Sequence, residues 1–149
     1  MLPLNRAKKT PSSGSLWRMA GFEHPSFDVQ RPLGRGAHAV VYLAQHLGLD
    51  RPVAIKVLKD PSDKETVGRL VREAKLIARL SHPHLVQVYD TGTLEDGRPY
   101  VVMECVKGTT LHVHMTERRF APAEALRIAW QIAGALGAAH SVGIVHRDV

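Results

Sequence analysis

Apolar and polar positions alternate first around Phe27, Val29 and Arg31, again through Val40 to Ala44, and a third time through Val53 to Leu58. A period of two is that of a strand, whose successive side chains point to opposite faces. Gly-bearing turns separate the runs, so the pattern predicts a three-stranded antiparallel meander. The period then changes. Val67, Leu70, Val71, Ala74, Ile77 and Ala78 recur every three or four residues, one stripe of a helix that packs on the sheet. Ahead of them, Ser62-Asp63-Lys64-Glu65 fits a capping box, with the Glu65 amide donating to the Ser62 hydroxyl and the Glu65 side chain reaching back. Pro83 lies beyond the stripe as a helix stop.

Leu85 to Tyr89 and Tyr100 to Met103 predict two more strands, connected through Glu95-Asp96-Gly97-Arg98, where Asp-Gly favours a hairpin turn with positive φ at both central residues. Beyond Gly108 a short segment, Leu111 to Met115, precedes a long helix entered at Pro122 and closed near Gly143. That helix carries Ala125, Leu126, Ile128, Ala129, Trp130, Ile132, Ala133 and Leu136 around much of its circumference, a pattern that needs a partner surface on nearly every side. Residues 1–26 hold Pro3, Pro11 and Ser12-Ser13-Gly14-Ser15 and read as a flexible leader.

Composition narrows this little: 149 residues, 44% hydrophobic and 23% charged, suit one ordinary globular domain. The net charge of +6 is concentrated early, where six cations against two anions in the first 35 residues give +4. A solvated basic leader accounts for that charge, and no nucleic-acid partner is expected. Cys105 is the single cysteine, which excludes an intrachain disulfide and a cysteine-based zinc site. The leader lacks a signal peptide's apolar stretch and no run reaches the ~18 residues of a membrane span, so the expected location is the cytoplasm.

Candidate chemistry begins at Leu33-Gly34-Arg35-Gly36-Ala37-His38-Ala39-Val40-Val41. Taken alone, Gly34-x-Gly36-x-x-Ala39 also matches a dinucleotide-binding fingerprint. A glycine turn of that kind opens a helix, whereas Val40, Val41 and Tyr42 are strand formers, which favours a glycine-rich hairpin over phosphates. Ala39 stands where a third glycine is usual, and its methyl group is tolerable at negative φ. In Val53-Ala54-Ile55-Lys56, alternation puts Ala54 and Lys56 on one face and Val53, Ile55 and Val57 on the other. Glu73 borders the apolar stripe of its helix, where it can reach a cleft or pair on the surface with Arg69 one turn back. The nine histidines, including His82-Pro83-His84 and His112-Val113-His114, show no metal-ligand spacing with carboxylate or cysteine.

Glycine hairpin, Val53-Ala54-Ile55-Lys56, helical Glu73 and a closing His146-Arg147-Asp148 occur in the order of a protein kinase, which the chain resembles from about Phe27 to Val149. The wording of Arg72-Glu73-Ala74, Leu80-Ser81-His82-Pro83 and Val102-Met103-Glu104 is similar to the bacterial, eukaryotic-like serine/threonine protein kinases. This resemblance implies an α+β fold: a five-stranded antiparallel N-lobe sheet with one helix and a hinge over residues 27–107, then the first C-lobe helices over 108–149. It implies ATP and Mg2+ as cofactors and a protein as substrate. Leu33, Gly34, Arg35, Gly36, Ala37, His38, Ala39 and Val41 would then cover the nucleotide, with Ala54 beside it. Lys56 would bridge the phosphates and Glu73, Met103 would be the gatekeeper, and the Glu104 carbonyl and Val106 amide would hold the adenine. Asp148 would be the catalytic base or orienter for the substrate hydroxyl, Arg147 a partner for a phosphorylated loop, and the magnesium ligands would follow Asp148. On this reading residues 1–149 alone are expected to be catalytically incompetent and to expose an apolar patch on the long helix, which further C-lobe helices would bury. The alternatives are a pseudokinase-like module that binds nucleotide or partners without chemistry, and a dinucleotide-binding oxidoreductase, which a helix at Val40 to Ala44 would support.

Overall fold

A computed structural model describes residues 24–146. Five strands, β1 (Phe27–Arg35), β2 (Ala39–His46), β3 (Arg51–Leu58), β4 (Val88–Thr93) and β5 (Pro99–Glu104), form one antiparallel sheet in the order β1-β2-β3-β5-β4. Helix α1 (Lys64–Ile77) connects β3 to β4, and α2 (Leu111–Glu117) and α3 (Pro122–Ser141) follow the sheet. This is the α+β arrangement expected, and the strand at Ala39–His46 removes the basis for the oxidoreductase alternative. Of the expected leader only residues 24–26 lie among those described. They are tied down: His24 Nε2 lies 2.9 Å from the Tyr100 hydroxyl and His24 Nδ1 accepts from the Ser26 amide. Tyr100 in turn lies over Gly92, where a Cβ would collide with its ring.

Strand β3 has β2 on one side and β5 on the other, so its alternation decides what each face of the sheet carries. Val53, Ile55 and Val57 join Val40, Tyr42, Ala44, Tyr100 and Val102 in one core, completed by Phe27, Val29 and Leu94. Against the opposite face α1 packs Leu70, Ala74 and Ile77 onto Val88, Val101 and Met103. The spacing of four and three residues brings those α1 side chains to one stripe. Strands β4 and β5 take the helix, and the β2–β3 half of that face is left to other uses.

Three local expectations are corrected. Helix α1 is capped by Asp63, whose Oδ1 accepts from the Thr66 amide at 3.0 Å, and not by Ser62, whose amide donates to Asp60 Oδ1 at 2.8 Å. Glu65 bonds Arg69 one turn on instead of reaching back. Strand β4 starts at Val88 rather than Leu85, because the Leu85 amide closes a turn onto the His82 carbonyl. The β4–β5 loop has positive φ at Gly97 alone, 84°, and closes through Gly97 N–H to Leu94 O and Leu94 N–H to Arg98 O, a three-residue loop.

Helix α3 starts with Pro122 in its first turn and ends as its glycine indicates: Gly143 has φ 81° and donates to the His140 carbonyl, while the Ile144 amide donates to that of Ala139. Its small residues Ala135 and Ala139 are buried, and the His82 ring lies against Gly134. Its large ones are not, with Leu126 72% and Trp130 73% exposed, the uncovered apolar surface expected of this helix in residues 1–149. No helix among the described residues is long and apolar enough to cross a membrane.

Candidate functional site

The ladder register assembles the site. Gly34 pairs with Val41, Val41 with Lys56, Lys56 with Val101 and Val101 with Thr91, so one rung crosses all five strands. A neighbouring rung on the same face runs through Arg31, Leu43, Ala54, Met103 and Val88. Directly opposed residues share a face, and strands lie about 4.8 Å apart, so Gly34 and Lys56 are about 10 Å apart across β2. The face that holds Lys56 is therefore the one on which α1 rests, and β1 roofs its uncovered half with the glycine hairpin.

Among the described residues nothing requires glycine at that hairpin. A Cβ on Gly34 would meet no atom within 4 Å, one on Gly36 only the Ala39 carbonyl at 3.8 Å, and neither has positive φ. The room they leave is open to a ligand. Ala39 is buried, and among the described residues only Asp50 combines a side chain with positive φ, so the Ala39 methyl is unstrained. Its carbonyl accepts from the Gly36 amide at 2.9 Å, leaving Ala37 and His38 as the exposed tip with Arg35 beside them. Leu33 is 44% exposed and Val41 half-buried.

Lys56 and Glu73 are both half-buried, but no ion pair within 4.0 Å unites them. Nor does Glu73 pair with Arg69, which bonds Glu65 at 2.6 Å. Glu73 instead lines a groove of about 350 Å³ between α1 and Gly143–Val145, together with Lys64, Arg69 and Arg72. At the other end of the face, Met103 packs with Ala74 and Val101. The Glu104 amide donates to the Gln87 carbonyl at 2.9 Å, which holds the start of β4 against the end of β5. Beyond Cys105 the chain leaves the sheet, and Val106 is 65% exposed. Arg147 and Asp148 lie outside the described residues, which end at His146.

One residue went unnoticed in the sequence. Lys59, just past β3, donates from Nζ to the carbonyls of Gly36 at 2.6 Å and Ala37 at 3.2 Å, and from its own amide to the His38 carbonyl at 2.9 Å. Close by, the Asp63 carboxyl is held below the ordinary carboxylate range, first by its hydrogen bond with Thr66, and His38 also acts on it. Among the described residues no group of three or more His, Cys, Asp and Glu side chains comes together; His82 and His84 stack edge to face, and His114 bonds Thr109.

Residues 27–149 match the family model of the protein kinase domain. The chain is 43% identical over 127 residues to the serine/threonine-protein kinase PknK of Mycobacterium tuberculosis, covering 83% of this chain and 11% of PknK. To PrkC of Bacillus subtilis it is 44% identical over 126 residues, 83% of this chain and 19% of that protein. The crystal structure of the Mycobacterium tuberculosis PknI kinase domain superposes with a TM-score of 0.72 at 38% identity, over 87% of this chain and 54% of that one. The chain thus spans under a fifth of those curated relatives and about half of that solved domain. Matched in sequence and in fold, this chain belongs to the protein kinase domain family.

Proposed function

We propose that this chain is the nucleotide-holding part of an ATP-dependent serine/threonine protein kinase, working in the cytoplasm on a protein hydroxyl. The observation that carries the reading is the rung Gly34–Val41–Lys56–Val101–Thr91, because it aligns the glycine hairpin and the lysine on the half-face that α1 leaves free. Amides of residues 34–39 would receive the phosphates from above, and the Lys56 ammonium would hold the α- and β-phosphates from below. Leu33, Val41 and Ala54 would enclose the adenine, whose edge the Glu104 carbonyl and the Val106 amide would read. Glu73 would orient Lys56 once α1 turns it from the groove toward the sheet.

In the transfer step the substrate hydroxyl oxygen bonds the γ-phosphorus as the bond to the bridging oxygen breaks, ADP leaves, and Asp148 takes the hydroxyl proton. The family's magnesium supplies charge neutralisation at the phosphates, but the described residues bring together no ligand set that fits it. The separation of Lys56 and Glu73 motivates a second reading, a module that holds nucleotide without transferring phosphoryl, but the similarity to serine/threonine protein kinases supports the first.

Calorimetry on the chain tests the site. Lys56→Met is expected to weaken ATP about tenfold or more, on the scale of ~1.5–3 kcal/mol for a hydrogen bond to a charged group, and to leave adenosine unchanged. Equal loss for both ligands rejects the role assigned to Lys56. Phosphoryl transfer by the full-length protein that vanishes in Asp148→Asn excludes the second reading.

A further inference from the structure

We propose that Lys59 is a positioning residue for the nucleotide phosphates, a clamp that sets the direction of the hairpin amides; its part in nucleotide binding rests on the kinase reading above. The carbonyls of Gly36, Ala37 and His38 are three in succession, and all three accept from Lys59, two from its ammonium and one from its amide. In a trans peptide the carbonyl and the N–H of the following residue point to opposite sides, and none of the described peptides is cis. Drawing the Gly36 and Ala37 carbonyls toward Lys59 therefore turns the Ala37 and His38 amides away from it. Successive amides that face one way make a concavity for anionic oxygen.

The hairpin has need of such a clamp. Gly36 N–H to Ala39 O closes a two-residue loop, and loops of that length follow the strand twist best when their residues have positive φ. None of residues 36–39 does. Local geometry leaves the tip underdetermined, and an exposed lysine from the end of β3 supplies the missing constraint.

The test uses the chain with three ligand-free or ligand-titrated forms: unsubstituted, Lys59→Met and Lys59→Arg. Lys59→Met is expected to lower the backbone NMR order parameters of Gly36, Ala37 and His38 without ligand. It should weaken ADP on the order of three- to tenfold, the effect of about one hydrogen bond, while adenosine affinity and melting temperature stay put. Lys59→Arg, which keeps the charge and the donors, should restore both. Unchanged order parameters in Lys59→Met overturn the clamp, even if ADP weakens, since Lys59 would then act on the phosphates directly. A mobile tip with undiminished ADP affinity overturns the positioning role. If the unsubstituted chain takes up no ADP, the kinase reading of the site fails and the positioning role falls with it, while the order parameters still report on the clamp.

Discussion

Ile55 in the middle of the sheet is 1% exposed, and Trp130 in the middle of α3 is 73% exposed, although both elements are rich in large apolar side chains. The sheet hides its side chains because its partners are local in sequence: β1, β2 and β3 form a meander, α1 follows directly, and β5 inserts beside β3. Helix α3 has only sparse contact with any other element and rests on its small residues, Gly134, Ala135 and Ala139, near the His82 loop. Stability is thus concentrated in residues 27–104, and so are the glycine hairpin and Lys56 of the candidate site. An apolar helix is not by that fact part of a core; it needs a surface to meet.

Substitution at the two centres sharpens this contrast most. Ile55→Ala is expected to cost ~2–5 kcal/mol in denaturant unfolding, because it leaves a cavity between close-packed strands. Trp130→Ala should stay within about 0.5 kcal/mol, as for an exposed side chain. Comparable losses at both positions would break the contrast and place α3 in the cooperative core.

Acid offers a smaller, region-specific effect. Beside the sheet, just ahead of β1, His24 titrates below its ordinary 6.5, chiefly because burial disfavours the charged ring, with Asp90 opposing. The folded chain binds that proton less readily than the unfolded one, so this contribution is whole above 6.5 and is lost as the pH falls through the lowered value. At the start of α3, Glu124 is held below 4.5 by its hydrogen bonds from Arg118 at 2.7 and 2.9 Å, so its contribution is whole above 4.5 and is lost at lower pH. In an NMR pH titration, Phe27 and Tyr100 should respond first and Ala121–Ala125 only at more acid pH. Simultaneous response of both groups would contradict the assignment.

How much of this was legible in the sequence follows from what each feature depends on. The facing of Ala54 and Lys56 depends on the two-residue period alone, and the register bears it out. The α1 stripe was legible at Leu70, Ala74 and Ile77 for the same reason, whereas Ala78 serves as the cap and is exposed. Ser62 and Asp63 are equally good caps by residue type, and the choice between them was made by Asp60, which engages Ser62. Where Glu73 points depends on how α1 sits on the sheet, a tertiary quantity that no helical wheel contains. Lys59 left no signal because its partners are backbone carbonyls, which every residue has.

The central claim is that the sheet, with the segment that leaves it at Val106, carries the nucleotide face, and NMR mapping of ADP on the uniformly labelled chain tests it most directly. The account predicts amide shifts at Gly34, Gly36–Ala39, Lys56 and Val106, with α3 from Ala135 to Ser141 unmoved. Shifts centred on α3 or on the Glu73 groove, with the glycine hairpin silent, would contradict it.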